Sequence, residues 1–255
     1  MIELKDVSFA YPNCEPVLDG LSLNIDTGEH IGLVGCNGAG KSTLLSLLSG
    51  INLPAGGSVS VNGHQVIKDN LTEIRRTVGM VFQNPDDQLF MPNILEDVMF
   101  GPKNYGLSQE EAKAKAEEAL ERMGVLHLKD RPPYKCSGGE KRSCAIATVL
   151  AMDPSYILFD EPSAFLDPKA TSNFEKTVNK LDVGYIIASH DLDLILRTCK
   201  RVLIMHKGKI IADGNPDKLL RDEELLDKAG LELPASYSNC KYCPHNLWFF
   251  KENLM

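Results

Sequence analysis

The residues that most constrain this chain run from 35 to 43: Gly35-Cys36-Asn37-Gly38-Ala39-Gly40-Lys41-Ser42-Thr43. The apolar stretch before them, His30-Ile31-Gly32-Leu33-Val34, reads as a strand, and residues 43–49 read as a helix. A strand, a glycine loop and a helix N-terminus in that order aim backbone N–H groups at one point, where the helix macrodipole also favours negative charge. That point suits a triphosphate. Gly35, Gly38 and Gly40 let the backbone curl, Lys41 can reach the β and γ oxygens, and the Ser42 hydroxyl can hold one position on a magnesium ion. Asn37 and Thr43 complete the candidate nucleotide contacts of the loop.

With 255 residues and 43% apolar content, the chain fits one large α/β domain, or one domain with a subdomain, better than two independent enzymes. No apolar run approaches the ~18 residues needed to cross a bilayer, and Met1-Ile2-Glu3-Leu4-Lys5-Asp6 lacks the features of a signal peptide, so a cytoplasmic location is expected. The net charge of −8, from 35 acidic and 27 basic residues, disfavours nucleic acid as a partner. Seven cysteines, at 14, 36, 136, 144, 199, 240 and 243, are an odd and scattered set, which points to reduced thiols. Cys36, inside the loop, is either a small side chain that fits there or a thiol through which an oxidant could switch binding off.

Periodicity sorts the remaining strands into two kinds. Residues 2–9, 21–25 and 58–61 alternate apolar and polar, as half-exposed antiparallel strands do, and Asn62-Gly63 follows the last as a turn. Residues 78–82, 156–159 and 185–188 are continuous apolar runs, expected of parallel strands covered on both faces. Between these, Ser108 and Glu111 form a capping box, Ala112, Ala116, Ala119, Leu120 and Met123 recur at helical spacing, and Gly124 supplies a stop. A helical subdomain is expected at about residues 90–155. Residues 202–212 read as a hairpin around His206-Lys207-Gly208, followed by a charged helix near 216–228.

The strand Tyr156-Ile157-Leu158-Phe159 ends in Asp160-Glu161. That order delivers Asp160 to the carboxyl end of the strand, where it can orient magnesium, and sets Glu161 one step further to take a proton from water.

With both features in place, the chain resembles the ATP-binding-cassette ATPases over nearly its whole length. The resemblance implies an α/β fold: a P-loop NTPase core of parallel strands with an antiparallel β subdomain and a helical signature subdomain. It implies a cassette over residues 1–235 and a tail over 236–255, with ATP and Mg2+ as cofactors. Residues 136–140, Cys-Ser-Gly-Gly-Glu, resemble the family signature, and a helix is expected from Lys141 to Met152. By the resemblance, Ser137, Gly138, Gly139 and Glu140 of one subunit cover the γ-phosphate held by another, so a homodimer is implied. Cys136 replaces the usual leucine and Glu140 the usual glutamine, and the charge of Glu140 near a triphosphate could weaken closure. The resemblance further implies that Tyr11 stacks on adenine and that Gln83 contacts magnesium and the attacking water. His190 would contact the γ-phosphate and orient Glu161. Asp167 would lie in the loop that crosses the dimer interface, stiffened by Phe165 in place of glycine. The implied catalytic set is Glu161, His190 and Gln83, and the implied magnesium set is Ser42, Gln83 and Asp160.

Gln83 is followed by Asn84-Pro85-Asp86-Asp87-Gln88-Leu89-Phe90, a stretch similar to the ATPases of energy-coupling-factor importers. The resemblance implies a transmembrane coupling subunit and a substrate-binding membrane subunit as partners. Leu89, Phe90, Met91 and Phe100 would line the receiving groove; the other reading makes them ordinary core. The ending, with Glu223-Glu224-Leu225-Leu226 and Gly230-Leu231-Glu232-Leu233-Pro234, looks more like cobalt or nickel importers than vitamin importers. Cys240, Cys243 and His245 add a candidate transition-metal set, or an incidental cluster. A soluble cassette acting in cofactor assembly stays open as a rival.

Overall fold

The structure, a computed structural model, describes residues 1–164 and 166–237. Its strands in chain order are β1 (Ile2–Ala10), β2 (Pro16–Ile25), β3 (His30–Val34), β4 (Gly56–Val61), β5 (His64–Gln65), β6 (Val78–Val81), β7 (Tyr156–Asp160), β8 (Gly184–Ala188), β9 (Arg201–His206) and β10 (Lys209–Gly214). Its α-helices are α1 (Lys41–Leu48), α2 (Leu71–Thr77), α3 (Ile94–Asn104), α4 (Gln109–Arg122), α5 (Gly138–Leu150), α6 (Pro168–Val178), α7 (Leu192–Thr198), α8 (Pro216–Leu219) and α9 (Glu223–Ala229).

Two sheets result. The larger runs β10-β9-β3-β8-β7-β6, parallel throughout except for the β9–β10 hairpin, and the smaller is antiparallel in the order β2-β1-β4-β5. Successive side chains of a strand face opposite ways, so β7 feeds two cores. Tyr156 and Leu158 join the cluster between the sheets, while Ile157 and Phe159 join the cluster under the other helices. Helix α1 is sandwiched in the first of these, with Leu44, Leu45, Leu47 and Leu48 at most 2% exposed. An isolated helix this short would not hold in water, and burial of about 1.5–3 kcal/mol per leucine supplies the difference. The helix that begins at the phosphate loop is thus fixed from both sides.

Helices α3, α4 and α5 pack on one another and on the second face of the large sheet. Gly79 of β6 sets the closeness of that seat, because a Cβ there would lie 2.2 Å from Val149 Cγ1 of α5. The Ser108–Glu111 capping box opens α4 as expected.

Three expectations need correction. Helix α5 starts at Gly138, about one turn before Lys141, and ends at Leu150 rather than Met152. The charged helix near 216–228 is two helices, because Asp222 stops the run and caps α9 by accepting from Leu225 N at 3.0 Å. The strand containing residues 21–25 begins at Pro16, five residues earlier.

Candidate nucleotide site

The loop between β3 and α1 places its charges by backbone geometry. Gly40 caps α1 with φ 105, and a Cβ on it would fall 2.9 Å from Leu18 Cδ2, so a glycine is required. Lys41, 7% exposed, donates from Nζ to Gly35 O at 2.8 Å and stands 3.8 Å from Glu161 Oε1. The Ser42 hydroxyl donates to Asp160 Oδ1 at 3.0 Å, joining residues 118 apart in sequence. Thr43 Oγ1 and the Tyr11 hydroxyl are hydrogen-bonded at 3.2 Å, and the Tyr11 ring meets Phe9 edge-on. Tyr11 therefore flanks the loop with its ring part-exposed. On the far side Gly230, at the end of α9, lies against Cys36: a side chain begun at 230 would start 3.4 Å from Cys36 Cβ.

Asp160 and Glu161 are both buried at the end of β7. Burial pushes the Asp160 carboxyl above the usual carboxylate range; the Ser42 hydrogen bond opposes this and the Glu161 charge adds to it. Glu161 sits in the left-handed region at φ 43, a conformation that costs a non-glycine residue on the order of 1 kcal/mol. Its N–H donates to Ala188 O at 2.8 Å, which holds the strained turn against β8. Its Oε2 lies 2.8 Å from His190 Nδ1 and accepts from His190 N at 3.3 Å. Lysine, serine, both carboxylates and the histidine thus meet at the carboxyl edge of the large sheet.

Gln83 stands apart. It is exposed just beyond β6, and no hydrogen bond among the described residues joins its amide to Ser42, Asp160 or Glu161. The signature residues also stand apart from the phosphate loop, with no hydrogen bond or ion pair between them among the described residues. Ser137 caps α5, accepting from Glu140 N at 3.3 Å, while Glu140 Oε2 accepts from Ser137 N at 2.7 Å. Arg131 approaches the other Glu140 oxygen at 3.7 Å. The Ser137 N–H, first, holds the Glu140 carboxyl below the usual range. The charge expected to oppose a triphosphate is turned back on its own helix terminus. Asp167 caps α6 by accepting from Ala170 N at 2.8 Å, and a Cβ on Gly139 would lie 3.2 Å from Ala170 Cβ, so the two motifs adjoin. Phe165, Cys240, Cys243 and His245 lie outside the described residues.

The Ser42 hydroxyl and Asp160 carboxylate are hard oxygen donors, which fits Mg2+: this ion takes one or two protein oxygens and completes its shell with phosphates and water. Of the four residues expected to line a groove, Leu89 is core at 5% exposure. Phe90 and Phe100 are exposed and meet edge-to-face with centroids 5.1 Å apart.

Three residues here were not singled out in the sequence. Asp97 Oδ1 accepts from Phe90 N at 2.9 Å and Met91 N at 3.0 Å, holding the turn beneath that aromatic pair. Gln88 and Arg142 join the segment around Gln83 to α5. The available signal was periodicity: Arg142, Ala145 and Val149 share the buried face of α5.

The model of the ABC transporter family matches residues 18–164, which contain the phosphate loop, Gln83, the signature and both carboxylates. The chain belongs to the ABC transporter family. This ABC ATPase is 44% identical over 241 residues to the energy-coupling factor transporter ATP-binding protein EcfA of Methanothermobacter thermautotrophicus, a match covering 92% of this chain and 78% of that protein. Among solved structures it is similar to cbiO1 from Clostridium perfringens, described as part of the ABC transporter complex cbiONQ. That likeness has a TM-score of 0.79 and 35% identity, and covers 91% of this chain and 95% of the other. It is also similar to a dimeric ATP-binding cassette in a post-hydrolysis state with ADP and Pi. There the TM-score is 0.75 and the identity 28%, over 85% of this chain and 99% of that one. The protein is therefore an ATP-hydrolysing enzyme with the ABC fold.

Proposed function

We propose that this ABC ATPase is the ATP-binding and hydrolysing subunit of an energy-coupling-factor importer, working as a homodimer at the cytoplasmic face of the cell membrane, with cobalt or nickel ions as cargo. The observation that carries this reading is the divided site. One chain brings together Lys41, Ser42, Asp160, Glu161 and His190 but keeps Ser137 to Glu140 away from them, facing outward at the N-terminus of α5. A second copy supplies the missing half; the similar cassette with ADP and Pi is dimeric, which supports the pairing of two copies. No helix among the described residues is long and apolar enough to cross a membrane. Phe90 and Phe100 are the surface we assign to the transmembrane coupling subunit. The cargo assignment rests on the likeness to cbiO1 and on the sequence of the ending.

In this reading the loop N–H groups and Lys41 bind the phosphates, with Tyr11 against the adenine. Ser42 and Asp160 would hold Mg2+, with Gln83 joining them once it is drawn in, and the ion would supply charge neutralisation to the phosphates. Glu161 accepts the proton of the attacking water, and His190 fixes the orientation of that carboxylate. Ser137, Gly138 and Gly139 of the second copy close over the γ-phosphate with the N-terminal dipole of α5. The deciding experiment is coexpression with candidate membrane subunits, reconstitution into vesicles, and ATP-driven uptake of labelled cobalt and nickel. Uptake of a vitamin instead would overturn the cargo assignment, and failure to copurify with any membrane subunit would favour a soluble role.

A further inference from the structure

Arg142 is the least exposed charged side chain among the described residues, at 2%. No carboxylate pairs with it there. Its Nη1 donates to Phe82 O at 2.6 Å and its Nη2 to Gln83 O at 2.5 Å, while Nε is buried without a partner. Burial alone pushes the guanidinium down to about 10, so it remains charged at neutral pH. A planar fork with parallel donors suits two successive carbonyls, whereas an ammonium acts as a single point of charge.

Two further ties run the same way. Lys141 pairs with Asp86 at 2.5 Å. The Gln88 amide donates to Ala145 O at 2.9 Å and Thr148 Oγ1 at 2.8 Å, and its oxygen accepts from Phe82 N at 3.2 Å. Residues 82–88 are therefore hung along α5 from Lys141 to Thr148, on the helix that Ser137 caps. Of the three ties, Arg142 alone grips the backbone of Gln83.

We propose that Arg142 is a positioning residue that makes the placement of Gln83 in one ATP site depend on the docking of Ser137 at the other. Displacement of α5 on closure is transmitted by the guanidinium to the two peptide groups that flank the Gln83 Cα, and these set where its amide points. Each site then becomes competent only when its own subunit's signature is seated on the partner's nucleotide. The inference rests on the shared-site reading above.

The test compares Arg142→Lys and Arg142→Met with the parent in the full-length protein. In the lysine variant we expect a melting temperature near that of the parent, affinity for a fluorescent ATP analogue within about twofold, an unchanged KM and a kcat lower by about tenfold or more, the scale of loss for a misplaced group. ATP-induced protection of amides 82–88 in hydrogen exchange disappears, while that of 137–142 persists. A kcat per folded molecule within twofold of the parent, or protection of 82–88 that survives in the lysine variant, overturns the proposal. If the methionine variant does not fold, the lysine variant decides alone. Ser137→Arg is run in parallel: full turnover in that variant would reject the shared-site reading itself, independently of Arg142.

Discussion

His190 reaches one oxygen of Glu161 twice, with its ring Nδ1 at 2.8 Å and its main-chain N at 3.3 Å. The other oxygen faces the Lys41 ammonium at 3.8 Å. A carboxylate held at both ends cannot rotate freely, which suits a general base that must meet a water at a fixed angle. Replacing Glu161 by Gln keeps size and hydrogen bonding but removes basicity. ATP binding is expected to persist while turnover falls roughly 10²- to 10⁴-fold. Near-normal phosphate release in single-turnover assays would remove Glu161 from this role.

Lys41→Ala and Ser137→Arg separate the two halves of the site. The first is expected to abolish ATP binding within its own chain, because the buried ammonium is the loop's main cation. The second should leave monomer affinity intact and block the closed dimer. Titration with a fluorescent nucleotide and sedimentation with ATP read the two effects, and equal loss of monomer affinity in both variants would contradict a divided site.

Asp160 gives a pH signature. Because its folded-state value is raised, the folded protein binds the proton more tightly than the unfolded chain, whose aspartates titrate near about 3.9. Stability from this group is present at lower pH and is lost as pH climbs through the folded value. Asp160→Asn should flatten that slope, raise the melting temperature of nucleotide-free protein at neutral pH, and eliminate Mg2+-dependent turnover. Identical melting profiles across pH for both proteins would refute the assignment.

Asp97→Ala strands two backbone donors, Phe90 N and Met91 N, under the exposed aromatic pair. A loss of about 2 kcal/mol is expected, or roughly 4–8 °C in melting temperature. Membrane-subunit binding should weaken more than ATPase activity of the isolated protein, as pull-down and basal turnover would show.

Truncation needs two end points. Ala235 N and Ser236 N donate to the Asp193 carboxylate on α7, and the Tyr237 ring lies under Arg221 with its hydroxyl on Asp217. Ending after Leu233 removes these anchors along with the tail, whereas ending after Tyr237 removes the tail alone. Unchanged metal uptake and dimerisation in the longer form would leave Cys240, Cys243 and His245 without a function.

The alternation of strands and helices was legible because buried parallel strands leave unbroken apolar runs, as in β6, β7 and β8. The chemistry was legible because loop, lysine, hydroxyl and paired carboxylates are local patterns. What escaped was set by tertiary partners. Ser137 and Glu140 carry the same Ser-x-x-Glu spacing as Ser108 and Glu111, and that capping box starts α5 at Gly138, about a turn before Lys141. For Leu89 the sequence leaves groove and core both open, because nothing local reveals its burial. Arg142 and Gln88 acquire meaning only when α5 lies beside residues 82–88.

Cys36 stands where the end of α9 touches the phosphate loop, partly accessible to solvent, and its neighbour Gly230 offers no side chain to shield it. This makes the chain its own occupancy probe. With Cys14, Cys240 and Cys243 replaced by serine, the rate at which a maleimide modifies Cys36 should drop when ATP fills the loop, giving a count of loaded sites that needs no turnover and works on a dimer frozen by Glu161→Gln.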